Sequence, residues 1–574
     1  MSIAAPTPRV AAPDEPSSSQ HDVHAPRPPL DLAQAVRLFT GLALMGWSML
    51  WWIDTGTSPL GPAMTAVSLV GGLTVVGLSV TNRSAAGWRR LDLRVLVFTL
   101  IVTGMWLSVR SSEHVYQTDE ITTGQASAAV LLSGHNPYAT DLTKELSRFN
   151  LPPDVSTPLL DGGTIHSTSY PALSFLLYVP FGALLGVGSP FALVADGLAW
   201  ILLMLLLWRL LDERLRPVVP LMASFPFYLS FIDGGVTDVL YLPFLLLALH
   251  RWDRFLDGGA SRLMRWVGPV CLGLACSVKP TPWLIAPFLV AAVAVESARR
   301  GRNPWRTAAT YSAIALGPFL VVNGPFIVMD PGAWAHGTLL PLLQPIVPFG
   351  QGIAMLPVYL HIAGGHVSYL GIAGVAAILA SLGAFIAFYP RSARLLPLMA
   401  AVPLLLSTRS LFNYFIYLAI LVLVHAANVP YSRRSPFRGQ QLFRWAGRGL
   451  AGAGAAAAAA ATVAFLVSPA PLHLTITAQH GSGDPGSPAP TITVAADNIT
   501  DKPVKPIFLV TSAGWMNPAW RTQGPAVLAP HASATYTLVS TDSRTRFDLG
   551  TVYLVDALAS NPGSVSTSQW VTVP

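Results

Sequence analysis

Residues 191–208 read FALVADGLAWILLMLLLW, a run with one charged side chain, Asp196, and no proline. A helix that is apolar on every face has no side to offer to water, so such a run lies inside a larger core or a bilayer. Its neighbours decide between the two. Further apolar runs occupy about 35–53, 63–81, 95–109, 218–232, 236–250, 266–279, 281–297, 307–329, 368–389, 395–407, 411–428 and 449–468. This spacing predicts a mainly α fold, a polytopic membrane helical bundle with about 13 crossings. Several runs are shorter than the roughly 20 residues of a full hydrocarbon span, so their boundaries are loose. The run 171–188 is broken by Pro171, Pro180 and Gly182. Read as a crossing it would put Arg209, Arg214 and Arg216 outside; read as a juxtamembrane or re-entrant segment it puts them inside.

The composition agrees. Of 574 residues, 52% are hydrophobic and 11% charged, where a soluble domain carries about a quarter charged. Mean hydropathy is +0.52. The 49 prolines and 47 glycines favour broken helices and loops at membrane depth. Only four basic residues are lysine (Lys144, Lys279, Lys502, Lys505), a bias towards arginine that points, with the alanine content, to a high-GC bacterial genome. Cys271 and Cys276 both sit in an apolar run, which indicates neither a disulfide nor a thiolate metal site.

The net charge of +7 has a topological explanation. With the crossings above, 25 of the basic residues fall in alternate segments on one side, and five (Arg110, Lys144, Arg148, Lys279, Arg409) in the opposite loops. The positive-inside rule then sets the N-terminus in the cytoplasm and the C-terminus outside, in a multi-pass bacterial cell membrane. No nucleic-acid partner is needed to account for the charge.

Two flanking regions differ. Residues 1–33 are rich in Pro, Ser and Ala and read as a disordered cytoplasmic tail, without a cleavable signal peptide. Residues 34–469 form the transmembrane domain. From 470 to 574 β-branched or alternating segments (491–496, 506–511, 533–539, 551–555) are separated by turn-formers at 481–486, 498–502, 530–532 and 561–563. Short strands at that spacing predict an extracytoplasmic β-sandwich of immunoglobulin-like size. The Ala-rich stretch 449–462 asks for no role beyond a helix.

The chemistry is sought in the outer loops. The longest, 110–170, contains HVYQTDEITTGQASAAVLLSGHNPYATDL and ends HSTSYPAL. Residues 121–133 are mostly small or apolar and predict a helix lying on the membrane surface, with Asp119 and Glu120 at its positive N-terminal end. Ionised carboxylates there suit proton abstraction from a sugar hydroxyl; the plainer reading is that Asp119 caps the helix. A second outer turn brings Asp233 and Asp238. Asp233 reads equally as a turn or a site residue, and Asp238 as a helix cap. Lys279 is the only lysine between residues 149 and 501 and breaks two apolar runs, as Arg409 does in STRSLFNYF. Two such cations without acids adjacent in sequence suggest a lipid-phosphate site; the alternative is snorkelling to headgroups. His114, His135, His166, His336, His361 and His366 lack the spacing of a zinc motif, and His166, before the Ser-Tyr-Pro turn, is the strongest of them as a substrate contact. Trp334, Gln344 and Gln351 lie in a Pro-rich outer loop that would cover a groove or merely connect. Trp515 and Trp520 in the β-region read as sugar-stacking platforms or, more simply, as core tryptophans.

In order and topology these pieces resemble the GT-C superfamily of membrane glycosyltransferases, over roughly residues 95–430. Asp119-Glu120 is similar to the acidic motif of the first extracytoplasmic loop in that superfamily. Gly134-His135-Asn136-Pro137-Tyr138 resembles the G-x-N-P-Y stretch of the bacterial branch that includes polyprenyl-phosphate-mannose-dependent mannosyltransferases. Tyr170-Pro171-Ala172-Leu173 resembles Y-P-P-L, with Ala172 in place of the second proline. Gly273-Leu274-Ala275 with Lys279-Pro280-Thr281-Pro282 resembles G-L-A…K-x-x-P, and Asp233-Gly234-Gly235 stands where G-Q-x-N is usual. The resemblance implies transfer of a sugar from a polyprenyl-phosphate donor to a hydroxyl of a glycan or glycolipid acceptor, with inversion. In that reading Asp119 is the general base, Glu120 orients the acceptor or shares the role, and Lys279 and Arg409 hold the donor phosphate. Asn136, Tyr138, Asp233 and His166 are further substrate contacts, and neither a metal nor another cofactor is required. A lipid-linked sugar transporter or flippase would use the same cations but would show inverted repeats, which the sequence lacks. A non-catalytic envelope assembly protein would have no need of the acidic pair.

Overall fold

The structure is a computed structural model, and it describes residues 31–54, 60–81, 83–113, 116, 118–148, 156–160, 163–233, 235–343, 346–360, 366–389, 391–428, 440–480, 491–512, 515–517, 520–540, 552–560 and 563–572. The tail 1–30 lies outside the described residues. The chain is mainly helical up to residue 467 and all strand beyond it. Among the described residues, seven helices are long and apolar enough to cross a membrane: Gly61–Ser79, Ala85–Val109, Phe191–Leu210, Thr281–Arg299, Pro304–Met329, Ser368–Ala387 and Gln441–Val467. Four shorter apolar helical stretches accompany them, at Leu173–Leu185, Asp238–Leu249, Ser392–Leu405 and Phe412–Asn428.

Proline placement explains most of the departures from the expected runs. The run 218–232 is two helices, Val218–Ser224 and Pro226–Asp233. Phe225 between them is extended (ψ 123°), the conformation that a following proline favours. The run 171–188 is split into Leu173–Leu176 and Val179–Leu185 and stops at Gly186, whose φ of +86° only glycine adopts without strain. The stretch 392–405 begins as a 3₁₀ turn through Pro397. By contrast, the helix expected at 95–109 starts ten residues earlier, at Ala85. Its polar first turns are held from outside: Arg37 makes a two-pronged ion pair with Asp92 (2.7 and 2.8 Å) and lies 4.3 Å over the Trp88 ring.

The core of the bundle gathers Trp106, Trp200, Leu203, Leu245, Phe288, Leu289, Tyr417 and Leu421. On the outside, Val321 and Val328 of Pro304–Met329 are 77% and 85% exposed; such a surface needs an apolar solvent. The alanine-rich helix has a packing role that its composition concealed. A Cβ at Gly447 would stand 2.8 Å from both the Ala387 nitrogen and the Gly383 carbonyl, and one at Gly454 would stand 2.6 Å from the Ala380 nitrogen. Helices 368–387 and 440–467 therefore meet backbone to backbone, an approach that only glycine allows at these positions.

The C-terminal region holds two four-stranded sheets. In one, 472–480, 491–498, 533–540 and 520–523 are adjacent in that order; in the other, 563–572, 552–560, 506–512 and 515–517. Thr491–Asn498 alternates strictly between half-buried and buried positions. Leu472, Ile492, Val494, Trp520 and Leu538 of the first sheet share one buried cluster with Phe508, Val510, Tyr553 and Val555 of the second. Trp520 is thus a core tryptophan; the side chain of Trp515 lies outside the described residues. The opposite face of the second sheet, through Leu509, Leu554 and Leu558, is buried against Leu160, Val347 and Met355 of the helical region's loops.

Candidate functional site

Five segments far apart in sequence meet around Lys279. The first is the helix Asp119–Leu132. Thr118 is its N-cap, extended at φ −142°, with its hydroxyl accepting from the Ile121 amide (3.5 Å) and donating to the Gly235 carbonyl (2.7 Å). The capping reading of Asp119 is thereby corrected, because the residue before it does the capping and leaves Asp119 and Glu120 in the first turn. The expected surface helix is also corrected: nine of its fourteen residues, including Ile121, Gln125 and Ala128, are buried. Gln125 explains why. Its Oε1 accepts from the Tyr116 hydroxyl and the Ala192 amide, and its Nε2 donates to the Ser189 carbonyl, so the helix is fastened into the protein.

Lys279 occupies the tight link between helices Arg262–Cys276 and Thr281–Arg299, and its side chain is 3% exposed. Its ammonium donates to Glu120 and to Asp238 Oδ2 (3.0 Å). Asn413 Nδ2 donates to the same Asp238 oxygen (2.7 Å). The rings of Tyr170 and Tyr414 lie 5.3 and 5.4 Å from the ammonium, within cation–π range. Two expectations change here. Asp238 is no cap: Thr237 holds the cap position, and the carboxylate turns to Lys279 instead. Lys279, which has no acids adjacent in sequence, has two in space. An unpaired ammonium at that depth would be prohibitively desolvated, and two carboxylates with two aromatic faces make it tolerable. Burial works against its charge; Asp238 and Glu120 more than offset this and hold its pKa well above the ordinary lysine value.

Beside this cluster stands a second pairing. Asp119 Oδ2 accepts from the Thr157 amide (2.7 Å), and Arg409 donates through one guanidinium nitrogen to Thr157 Oγ1 (2.8 Å). Thr157 thus bridges a carboxylate and a guanidinium. Burial pushes the Asp119 carboxyl above the usual range, while the Arg409 charge and the Thr157 contacts pull against the rise. Arg409 is fixed by its backbone. Phe349–Gly350 pairs in parallel with Arg409–Ser410, the Gln351 amide donating to the Ser410 carbonyl (2.8 Å). Gly350 is required there twice over: its φ is +110°, and a Cβ would fall 2.2 Å from the Ser410 oxygen.

The sequence-derived candidates therefore divide. Asp119, Glu120, Lys279 and Arg409 come together. Tyr138 is buried, and its hydroxyl donates to the Tyr170 carbonyl (2.8 Å), so it supports a ring of the cluster. Asn136 caps the turn Pro137–Ala139 by accepting from the Tyr138 amide (3.1 Å). His166 is exposed, 3.6 Å from Asp141, in a loop tie rather than the cluster. Asp233 ends the helix Pro226–Asp233, and its side chain lies outside the described residues, as do His114, His361 and Gln344. Trp334 donates to Asn323 Oδ1 (3.2 Å), which also accepts from the Ala172 amide (2.9 Å). Sequence reasoning missed Thr157, Asn413 and Tyr414. Only Asn413 and Tyr414 carried a signal, by lying a few residues beyond Arg409. Among the described residues, no group of three or more His, Cys, Asp or Glu is placed to hold a metal ion. No family model matches the chain, and no curated protein or solved structure matches it.

Proposed function

We propose that the protein is a glycosyltransferase that moves a sugar from a polyprenyl-phosphate donor to a hydroxyl of a cell-envelope glycan or glycolipid at the outer face of a bacterial membrane. The observation that carries this reading is the convergence of Asp119 and Glu120 with Arg409 and Lys279. Glu120 and Lys279 meet across 159 residues, and Arg409 reaches across 252 residues to Thr157, whose amide binds Asp119. A lipid-phosphate sugar needs both kinds of group, one to take a proton and one to accept charge as the phosphate leaves.

In this reading Asp119 removes the proton from the acceptor O–H. The acceptor oxygen bonds to the anomeric carbon from the face opposite the phosphate, and the carbon–oxygen bond to phosphate breaks. The electron pair leaves on the polyprenyl phosphate, beside Arg409. A carboxyl raised by burial is a stronger base than a solvated one, provided it is ionised, and Arg409 favours that ionised form. Lys279 holds Glu120 and Asp238 and adds its charge to the same field, and Glu120 orients the acceptor. The arrangement carries its own cations, and we assign no step to a cofactor.

The accompanying topology is about 13 crossings, with the N-terminus cytoplasmic, the C-terminus extracytoplasmic and the two C-terminal sheets forming a sandwich. The arginine asymmetry supports it.

The test is transfer of labelled sugar from polyprenyl phosphate by the purified protein in lipid. Asp119→Asn keeps the shape and should bind donor but lose about 10²–10⁴ in turnover. Near wild-type turnover in that variant would remove Asp119 from the mechanism. Binding of the lipid-linked sugar with no transfer by the wild type would favour a carrier or flippase, and neither binding nor transfer would favour an assembly protein.

A further inference from the structure

The outer segments that carry Thr157 and Arg409 have little regular structure of their own. Leu159 bridges Ile346, the Val347 amide donates to the Pro158 carbonyl (3.1 Å), and 349–350 pairs with 409–410 over only two residues. Strand pairs this short do not stand alone in water. On their far side they are covered by the C-terminal sheet. Leu160, Val347 and Met355 are buried against Leu509, Leu554 and Leu558. The Val367 amide donates to the Gly563 carbonyl (2.9 Å), and His366 bridges Ser564. Leu160 is three residues from Thr157, and Val347 is two from Phe349, whose neighbour in register is Arg409. A path of contacts and of two- and three-residue stretches of chain thus runs from Leu558 to the Asp119–Thr157–Arg409 bridge.

We propose that docking of the C-terminal β-domain sets Thr157 and Arg409 against Asp119, so that the domain is a positioning element of the site. The turnover part of this inference rests on the glycosyltransferase reading; the docking part does not.

The experiment uses the full-length protein in lipid nanodiscs and the variants Leu558→Gln and Leu558→Met. Hydrogen exchange is followed at 346–352 and 408–411, with strands 491–498 and 533–540 as the folding control. Leu558→Gln should speed exchange at 346–352 and 408–411 by tenfold or more while the control strands stay protected. The same variant should raise the donor KM and lower kcat in the transfer assay, and Leu558→Met should restore both. Met355→Gln, which leaves every β-domain residue in place, should act like Leu558→Gln and decides the matter if Leu558→Gln unfolds the domain. Unchanged exchange in the loop segments overturns the proposal, as does loosening of those segments with donor KM and kcat intact. A wild-type protein that transfers no sugar would refute the enzymatic reading, and the exchange comparison would still decide the docking.

Discussion

In the proposed transfer Asp119 must be ionised to accept a proton, and two opposed influences decide the pH at which it is. Burial raises its pKa; Arg409 and the Thr157 donors lower it. Replacing Arg409 by Met removes the largest of the restraining influences, so the Asp119 carboxyl should rise further. Activity that depends on ionised Asp119 grows as pH rises through its pKa, so the acid limb of the pH–rate profile should move to higher pH. Turnover at neutral pH should also fall about tenfold or more, the effect of losing a charge-assisted contact of about 1.5–3 kcal/mol. A profile that does not move would separate Arg409 from the base. Four of the five charged members of this site, Asp119, Glu120, Lys279 and Arg409, were legible because charge is scarce in such a chain, where only 11% of residues carry it, while Asp238 read as a cap. Their partnerships were not. Lys279 finds Asp238 at a separation of 41 residues, and Asp238 finds Asn413 at 175. Thr157 acts partly through a backbone N–H, which every residue but proline possesses, so nothing in its identity marked it.

At the scale of elements, helices 368–387 and 440–467 separate what composition shows from what geometry requires. Composition shows a helix rich in Ala and Gly; it does not show which small residues touch a partner. Gly383 does: a Cβ there would lie 2.4 Å from the Ala451 nitrogen and 2.6 Å from the Gly447 carbonyl. Gly449 has open space around its Cβ position. Gly383→Val should therefore force the helices apart and destabilise the protein by several kcal/mol, about the 1–3 kcal/mol of overpacking plus the lost close contacts. Gly449→Ala should be neutral or stabilising by up to about 1 kcal/mol, since it removes a flexible residue from a helix interior. Thermal unfolding of both variants in the same lipid makes the comparison, and equal effects would show that the close approach contributes nothing. Pro226 divides the run 218–232, which was expected as a single crossing, because the lost N–H and the constraint on Phe225 act locally. A glycine's neighbour across the bundle is not local.

At the scale of the whole molecule, the contact between the β-domain and the loops of the membrane body was the least legible feature. The strand Val552–Ser560 reads VYLVDALAS, apolar at nearly every position. Both its faces are in fact buried: Tyr553, Val555, Ala557 and Ala559 in the domain's own core, Leu554 and Leu558 against the membrane body. Asp556 lies between those two leucines on the docking face. It is 6% exposed, and its Oδ1 has no hydrogen-bond partner among the described residues. Burial, and then the charge of Asp556, raise the pKa of the Tyr359 hydroxyl on the helix Leu356–Leu360 of the membrane body. Burial lifts the Asp556 carboxyl from its ordinary 3.8 to about 7. The folded protein therefore holds this proton over a range in which the unfolded chain has released it. The folded, docked state is most stable below the ordinary carboxyl pKa, loses stability as pH rises from about 4 to about 7, and levels off above, by an amount on the order of 4 kcal/mol. Asp556→Asn abolishes the titration while keeping the shape. Protection of strands 506–512 and 552–560 from exchange, referred to a common intrinsic rate, should fall between pH 5 and pH 7 in the wild type and stay level in the variant. At pH 8 the variant should be the better protected. A wild-type profile as flat as the variant's would mean that Asp556 remains ionised inside the interface, and the contact between domain and membrane body would then have to supply a partner for that charge.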